Sequence, residues 1–311
     1  VNSVTNAIVT TAAFENKYTT APTSATFQVT KTMEGRKLAQ DMFKFDLYKV
    51  GETTPIETVG NGVPNADGMS ASVVFSEITY TAPGTYSYVI KEQNGGNTIH
   101  GVTYDDMKVI VTVTVKDNGL GALEANVAYS TINGDAEDDT KFNNSYTVKP
   151  PAAPIIINGT KELHGKNLSA GEFTFALYQT DAYFENPEFV SSVPNAADGG
   201  FSLTIPVERI SEIGGYRFII KEVKGTDDNI TYDGGVYYVL VEVTDNGLGQ
   251  LVTKTIVGSA QNNGSITNTS DVRFTNYFTP DPETLKISGK KILKGGVLAK
   301  DQFTFELYET E

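Results

Sequence analysis

Most of the chain is written in alternation. Phe43-Lys-Phe-Asp-Leu-Tyr48, Val109-Ile-Val-Thr-Val-Thr-Val115 and Tyr237-Tyr-Val-Leu-Val-Glu-Val243 have the two-residue side-chain period of strands. Their β-branched and aromatic residues suit a pleated, half-buried surface. Turn residues separate such stretches, and Asp117-Asn118-Gly119 and Asp245-Asn246-Gly247 are the strongest hairpin signals among them. No segment is long and periodic enough to predict a helix. Short strands punctuated by turns predict an all-β chain of antiparallel, immunoglobulin-like β-sandwiches.

The pattern also repeats. FQVTKTMEGRKLAQDMFKFDLYKV around Lys31 returns as IINGTKELHGKNLSAGEFTFALYQT around Lys161 and KISGKKILKGGVLAKDQFTFELYET around Lys291. A span of 130 positions separates Lys31 from Lys161, and Lys161 from Lys291. Each lysine is followed by a Leu seven positions on (Leu38, Leu168, Leu298), a Phe at twelve (Phe43, Phe173, Phe303) and a Phe at fourteen (Phe45, Phe175, Phe305). Tyr86-Ser-Tyr-Val-Ile-Lys-Glu92 matches Tyr216-Arg-Phe-Ile-Ile-Lys-Glu222, and Val102-Thr-Tyr-Asp105 matches Ile230-Thr-Tyr-Asp233. Each copy closes on Phe-x-Asn, at Phe142–Asn144 and Phe274–Asn276, and Phe14-Glu15-Asn16 carries the same ending. Solenoid units run to about 20–50 residues, so this period describes whole domains in tandem.

The reading is therefore the C-terminal end of one repeat (1–22), two complete repeats (23–150 and 151–282) and the start of another (283–311). The chain is expected to be a window on a longer polypeptide, with Asn16 and Lys291 as half-sites of neighbouring repeats. The links Lys149-Pro-Pro-Ala-Ala-Pro154 and Phe278-Thr-Pro-Asp-Pro282 favour semi-rigid spacers and hence an elongated rod.

Composition narrows the function. Against 24 Lys and Arg stand 38 Asp and Glu, a net charge of −14 that disfavours nucleic acid and anionic membranes as partners. No apolar run approaches the roughly 20 residues of a membrane helix. With no cysteine, the repeats cannot rely on disulfides. His100 and His164 occupy unrelated places in the repeat, which argues against a histidine-based metal or catalytic site.

One polar constellation recurs. Lys31 precedes Glu92 by 61 residues, as Lys161 precedes Glu222, and the closing asparagines lie 113 and 115 residues beyond the lysines. Such residues are ordinarily solvated strand polarity, but recurrence of all three in order at matched spacing points to chemistry. Buried together, lysine loses its charge and becomes a nucleophile, while glutamate takes up a proton. A protonated glutamate can polarise the carboxamide and shuttle protons as the amine attacks and ammonia leaves. The product is an isopeptide bond, formed without cofactor or metal. Asn143 competes with Asn144 and Lys290 with Lys291; the repeat register selects Asn144 and Lys291.

These motifs resemble the isopeptide-linkage domains of Gram-positive pilins and adhesins, related to the B-type repeats of collagen adhesins. The resemblance rests on Val-Thr-Lys31 and Gly-Thr-Lys161, the Tyr-x-Tyr/Phe-x-Ile-Lys-Glu segments and the closing Phe-x-Asn. It implies Lys31–Asn144 and Lys161–Asn276 as bonded pairs, with Glu92 and Glu222 as catalytic acids acting once. It further implies an extracellular fibre component at the bacterial surface or cell wall, its partners being neighbouring repeats or subunits of the same fibre. The alternative expectation is an adhesin whose repeats grip a host protein or glycan.

Overall fold

A computed structural model describes residues 13–136, 139–260 and 266–310, so the first twelve residues of the segment read as 1–22 lie outside it. The alternating stretches are strands, and among the described residues the only helical element is a 3-10 turn at Val207–Arg209. Among the described residues no helix is long and apolar enough to cross a membrane.

The strands form two sandwiches. In the first, one sheet runs in the order Leu123–Ile132, Lys108–Asp117, Gly84–Glu92, Lys44–Lys49, Glu57–Gly60. The facing sheet runs Ser70–Val74, Gln28–Glu34, Lys141–Tyr146, Val102–Thr103, Thr98–Ile99. The second sandwich sets a six-stranded sheet, centred on Thr174–Thr180, Gly214–Val223 and Val236–Asp245, against a four-stranded one holding Ile155–His164 and Arg273–Phe278. Each encloses its own apolar core, and Val148 packs against both.

Two features depart from a simple antiparallel hairpin reading. The first and last strands of each repeat lie side by side and run parallel, Gln28–Glu34 with Lys141–Tyr146 and Ile155–His164 with Arg273–Phe278. The Asp-Asn-Gly turns are also wider than two residues. Asp117 pairs with Leu123 and Asp245 with Leu251, leaving five-residue loops. Within them Asn118 Oδ1 accepts from the Leu120 and Ala122 N–H groups, and Asn246 Oδ1 does the same for Leu248 and Gln250. The asparagines thus stabilise the loop by binding its main chain.

Residues 283–310 form no strand, although their sequence repeats the Lys31 and Lys161 segments. Leu285, Leu307 and Tyr308 are exposed. A strand needs a ladder partner and a facing sheet, and among the described residues this segment has neither.

Candidate functional site

Strand phase decides which side chains enter the sandwich. In Gln28–Glu34 the inward positions are Val29, Lys31 and Met33, so the lysine occupies a slot written for an apolar residue. In Lys141–Tyr146 they are Phe142, Asn144 and Tyr146, while Asn143 faces out and accepts from Thr32 Oγ1. Glu92 ends its strand on the same inward phase as Tyr88 and Ile90.

Lysine and asparagine come from neighbouring strands of one sheet; the glutamate reaches them from the centre of the opposite sheet. In the parallel register Lys31 stands opposite Phe142 and Met33 opposite Asn144, which offsets the asparagine by one inward position. The second repeat copies this, with Lys161 opposite Phe274 and Leu163 opposite Asn276.

In each repeat one carboxylate holds both other groups. Lys31 Nζ donates to Glu92 Oε2 at 3.0 Å, and Asn144 Nδ2 donates to Glu92 Oε1 at 2.8 Å. Lys161 Nζ lies 2.6 Å from Glu222 Oε2, and Asn276 Nδ2 lies 2.5 Å from Glu222 Oε1. Both Lys–Glu pairs have side chains with no solvent exposure. Burial lowers Lys31 to about 8, against the opposing pull of Glu92, and raises Glu92 to about 7, against its bonds to Lys31 and Asn144. Burial likewise lowers Lys161.

The phenylalanine landmarks gain a purpose here. Phe43 and Phe173, twelve residues after the lysines, place their rings 4.8 and 4.5 Å from the amines. Phe45 and Phe175, two residues further on, pack against Phe142 and Phe274 of the closing motif at 5.2 and 5.3 Å. Each ring pair therefore joins the two sheets beside the triad.

Asp105 and Asp233 were not candidates from the sequence. The Asp105 N–H donates to Asn144 Oδ1 at 2.8 Å, and the Asp233 N–H donates to Asn276 Oδ1 at 2.7 Å. Each aspartate carboxylate in turn accepts from the last strand, from the Asn143 N–H at 2.6 Å and the Thr275 N–H at 2.8 Å. The carboxamide is thereby oriented with its nitrogen on the glutamate and its oxygen on a main-chain donor. The recurring Thr-Tyr-Asp was the available signal for this pair.

The half-sites behave differently. Asn16 and Lys291 are exposed, and no bond among the described residues joins either to a glutamate. His100 and His164 are also exposed and lie apart, His164 stacking on Tyr277 at 5.0 Å.

Two tandem all-β sandwiches of this kind define a class, the isopeptide domains of pilin-like structural proteins. The chain belongs to the FctA family, the Spy0128-like isopeptide containing domain, which it matches over residues 27–147 and again over 157–279. No curated protein matches it significantly. Among solved structures, the major pilin T-13 of Streptococcus pyogenes aligns at 19% identity over 84% of this chain and 100% of its own, with a TM-score of 0.30. GBS52, the minor pilin of Streptococcus agalactiae, aligns at 11% over 84% and 99%, with a TM-score of 0.21. The SpaE basal pilin of Lactobacillus rhamnosus GG aligns at 11% over 81% and 99%, with a TM-score of 0.21. At such identities and scores these likenesses carry no argument, and membership rests on the family match.

Proposed function

We propose that this chain forms part of the shaft of a bacterial surface fibre, a pilus or adhesin stalk, whose repeats each lock themselves with a Lys–Asn isopeptide bond. The observation that carries this reading is the sharing of one buried glutamate by lysine and asparagine, in the same geometry, in both repeats. The lockable units are the repeats 23–150 and 151–282, and the setting is the extracellular surface or cell wall of a Gram-positive bacterium.

Chemistry follows from the contacts. Lys31 passes a proton to Glu92, leaving a neutral amine whose Nζ attacks Cγ of Asn144. Negative charge gathers on Oδ1, where the Asp105 N–H already donates. Glu92 gives its proton to Nδ2 and takes one from Nζ. The Cγ–Nδ2 bond breaks, ammonia leaves, and the Nζ–Cγ amide remains with Glu92 protonated. Lys161, Glu222, Asn276 and Asp233 repeat these roles.

Such a bond joins the first strand of a repeat to its last. Tension entering along one crosses directly to the other, bypassing the strands between. In contrast to a disulfide, an amide withstands reduction, which suits a cysteine-free chain outside the cell. Intact mass under denaturing conditions tests the reading. The protein is expected to be lighter than its sequence by two ammonia units, and Glu92→Ala to restore one. A mass equal to the unmodified sequence overturns it.

A further inference from the structure

Two residues beyond the closing asparagines stand Tyr18 and Tyr146, which take no part in the chemistry above. Each reaches out of its own repeat into the next. Tyr18 Oη donates to Asp117 Oδ1 at 2.9 Å and accepts from the Gly121 N–H at 3.0 Å. Tyr146 Oη donates to Asp245 Oδ1 at 2.8 Å and accepts from the Gly249 N–H at 3.1 Å. Asp117 and Gly121 bound the Asp-Asn-Gly-Leu-Gly loop of the first complete repeat; Asp245 and Gly249 bound that of the second.

Main-chain bonds copy the same match. The Ala21 N–H donates to the Gly121 carbonyl and the Leu123 N–H to the Ala21 carbonyl. Lys149 makes the equivalent pair with Gly249 and Leu251. At the central junction the Arg36 guanidinium also lies 4.4 Å from the Tyr146 ring and donates to the Gly247 carbonyl. A Cβ on Gly249 would come within 2.5 Å of Gly101, so the repeats meet there main chain to main chain.

We infer that the Asp-Asn-Gly-Leu-Gly loop of each repeat is a receptor for the terminal strand of the repeat before it, read by a tyrosine hydroxyl two residues past the closing asparagine. The loop is shaped for that hydroxyl. Its aspartate already accepts from the loop's own Gly119 or Gly247 N–H, and it turns a second lone pair outward to the tyrosine. The next glycine N–H is left for the hydroxyl oxygen. At the first junction the short run from Tyr18 to Ala21 holds this seat. A partner fits this surface if it is another repeat ending in Asn-x-Tyr. The second complete repeat ends in Asn276-Tyr277-Phe278, with phenylalanine in the hydroxyl position. A junction following it lacks the clasp and is the looser joint of the series.

Residual dipolar couplings on the intact chain test this. In the natural protein both sandwiches are expected to fit one alignment tensor. Tyr146→Phe is expected to split them into two tensors and to speed exchange of the Gly249 amide, while the isopeptide mass deficit stays unchanged. Asp245→Ala, altering the other side of the contact, is expected to do the same, which guards against a folding defect peculiar to the tyrosine variant. Tyr18→Phe, at the other junction, should leave a single tensor. One shared tensor in both Tyr146→Phe and Asp245→Ala, or a split tensor in Tyr18→Phe, overturns the inference.

Discussion

Lys161 and Lys291 sit in nearly the same local sequence, and each amine lies over the phenylalanine twelve residues later, at 4.5 and 4.4 Å. There the likeness ends. Lys161 is 3% exposed and meets Glu222 from the opposite sheet, whereas Lys291 is exposed and its Phe303 is 39% exposed. The local motif is thus sufficient to lay the lysine on its ring. Desolvation, the acid and the acceptor all come from strands far along the chain. On the proposed chemistry, reactivity is a property of the closed sandwich, and the lysine segment brings only one reactant to it.

The largest effect expected from breaking this contrast is at Glu222. Glu222→Ala should leave the second repeat unlinked while the first still closes, so the mass deficit halves. Loss of a cross-link spanning more than a hundred residues should lower stability by about 4–5 kcal/mol on the loop-entropy estimate, measurable as a lower denaturant midpoint for that repeat. Next comes Asp233→Ala, which frees the main-chain donor from its tie to Thr275. Bond formation during refolding should slow by about tenfold or more, since a misplaced oxyanion donor loses much of its effect. Folding at an undiminished rate of ammonia release would show that the donor has no part.

A third expectation concerns pH in the first repeat. With Glu92 near 7 and Lys31 near 8, the pair holds two protons at lower pH and none at higher pH. The mechanism needs one shared proton, as neutral amine plus carboxylic acid. Closure should therefore be fastest between about pH 7 and 8 and fall about tenfold per unit outside, by mass spectrometry of quenched refolding samples. The smallest effect sharpens the contrast from the other side. Lys291→Ala should leave the two-ammonia deficit unchanged; a smaller deficit would show that Lys291 supplies one of the bonds.

Much of this was legible in the residues. Alternation marked the strands, and the repeat register chose Asn144 over Asn143; in its strand Asn144 faces inward and Asn143 outward. The spacing of Phe43 and Phe45 was visible, but their tasks were not, because which ring covers the amine and which joins the sheets depends on the facing layer. The parallel pairing of first and last strands was equally hidden. It joins residues more than a hundred positions apart, and no local pattern records it. The donors at Asp105 and Asp233 were missed for a different reason. Their contribution to the carboxamide is a main-chain N–H, which every residue except proline carries, so the recurring Thr-Tyr-Asp marked the two positions without showing that task.

The parallel neighbours have a consequence for length. If the proposed bond joins Lys31 to Asn144, the 113-residue interval between them can no longer add to the end-to-end distance of the chain. At about 3.3–3.6 Å per extended residue, roughly 370–410 Å of slack is withheld in that repeat alone. An unlinked sandwich can yield and lengthen, absorbing work as it does so. A linked one has a nearly fixed contour, so any give in a fibre built from such linked repeats would come from the joints between them.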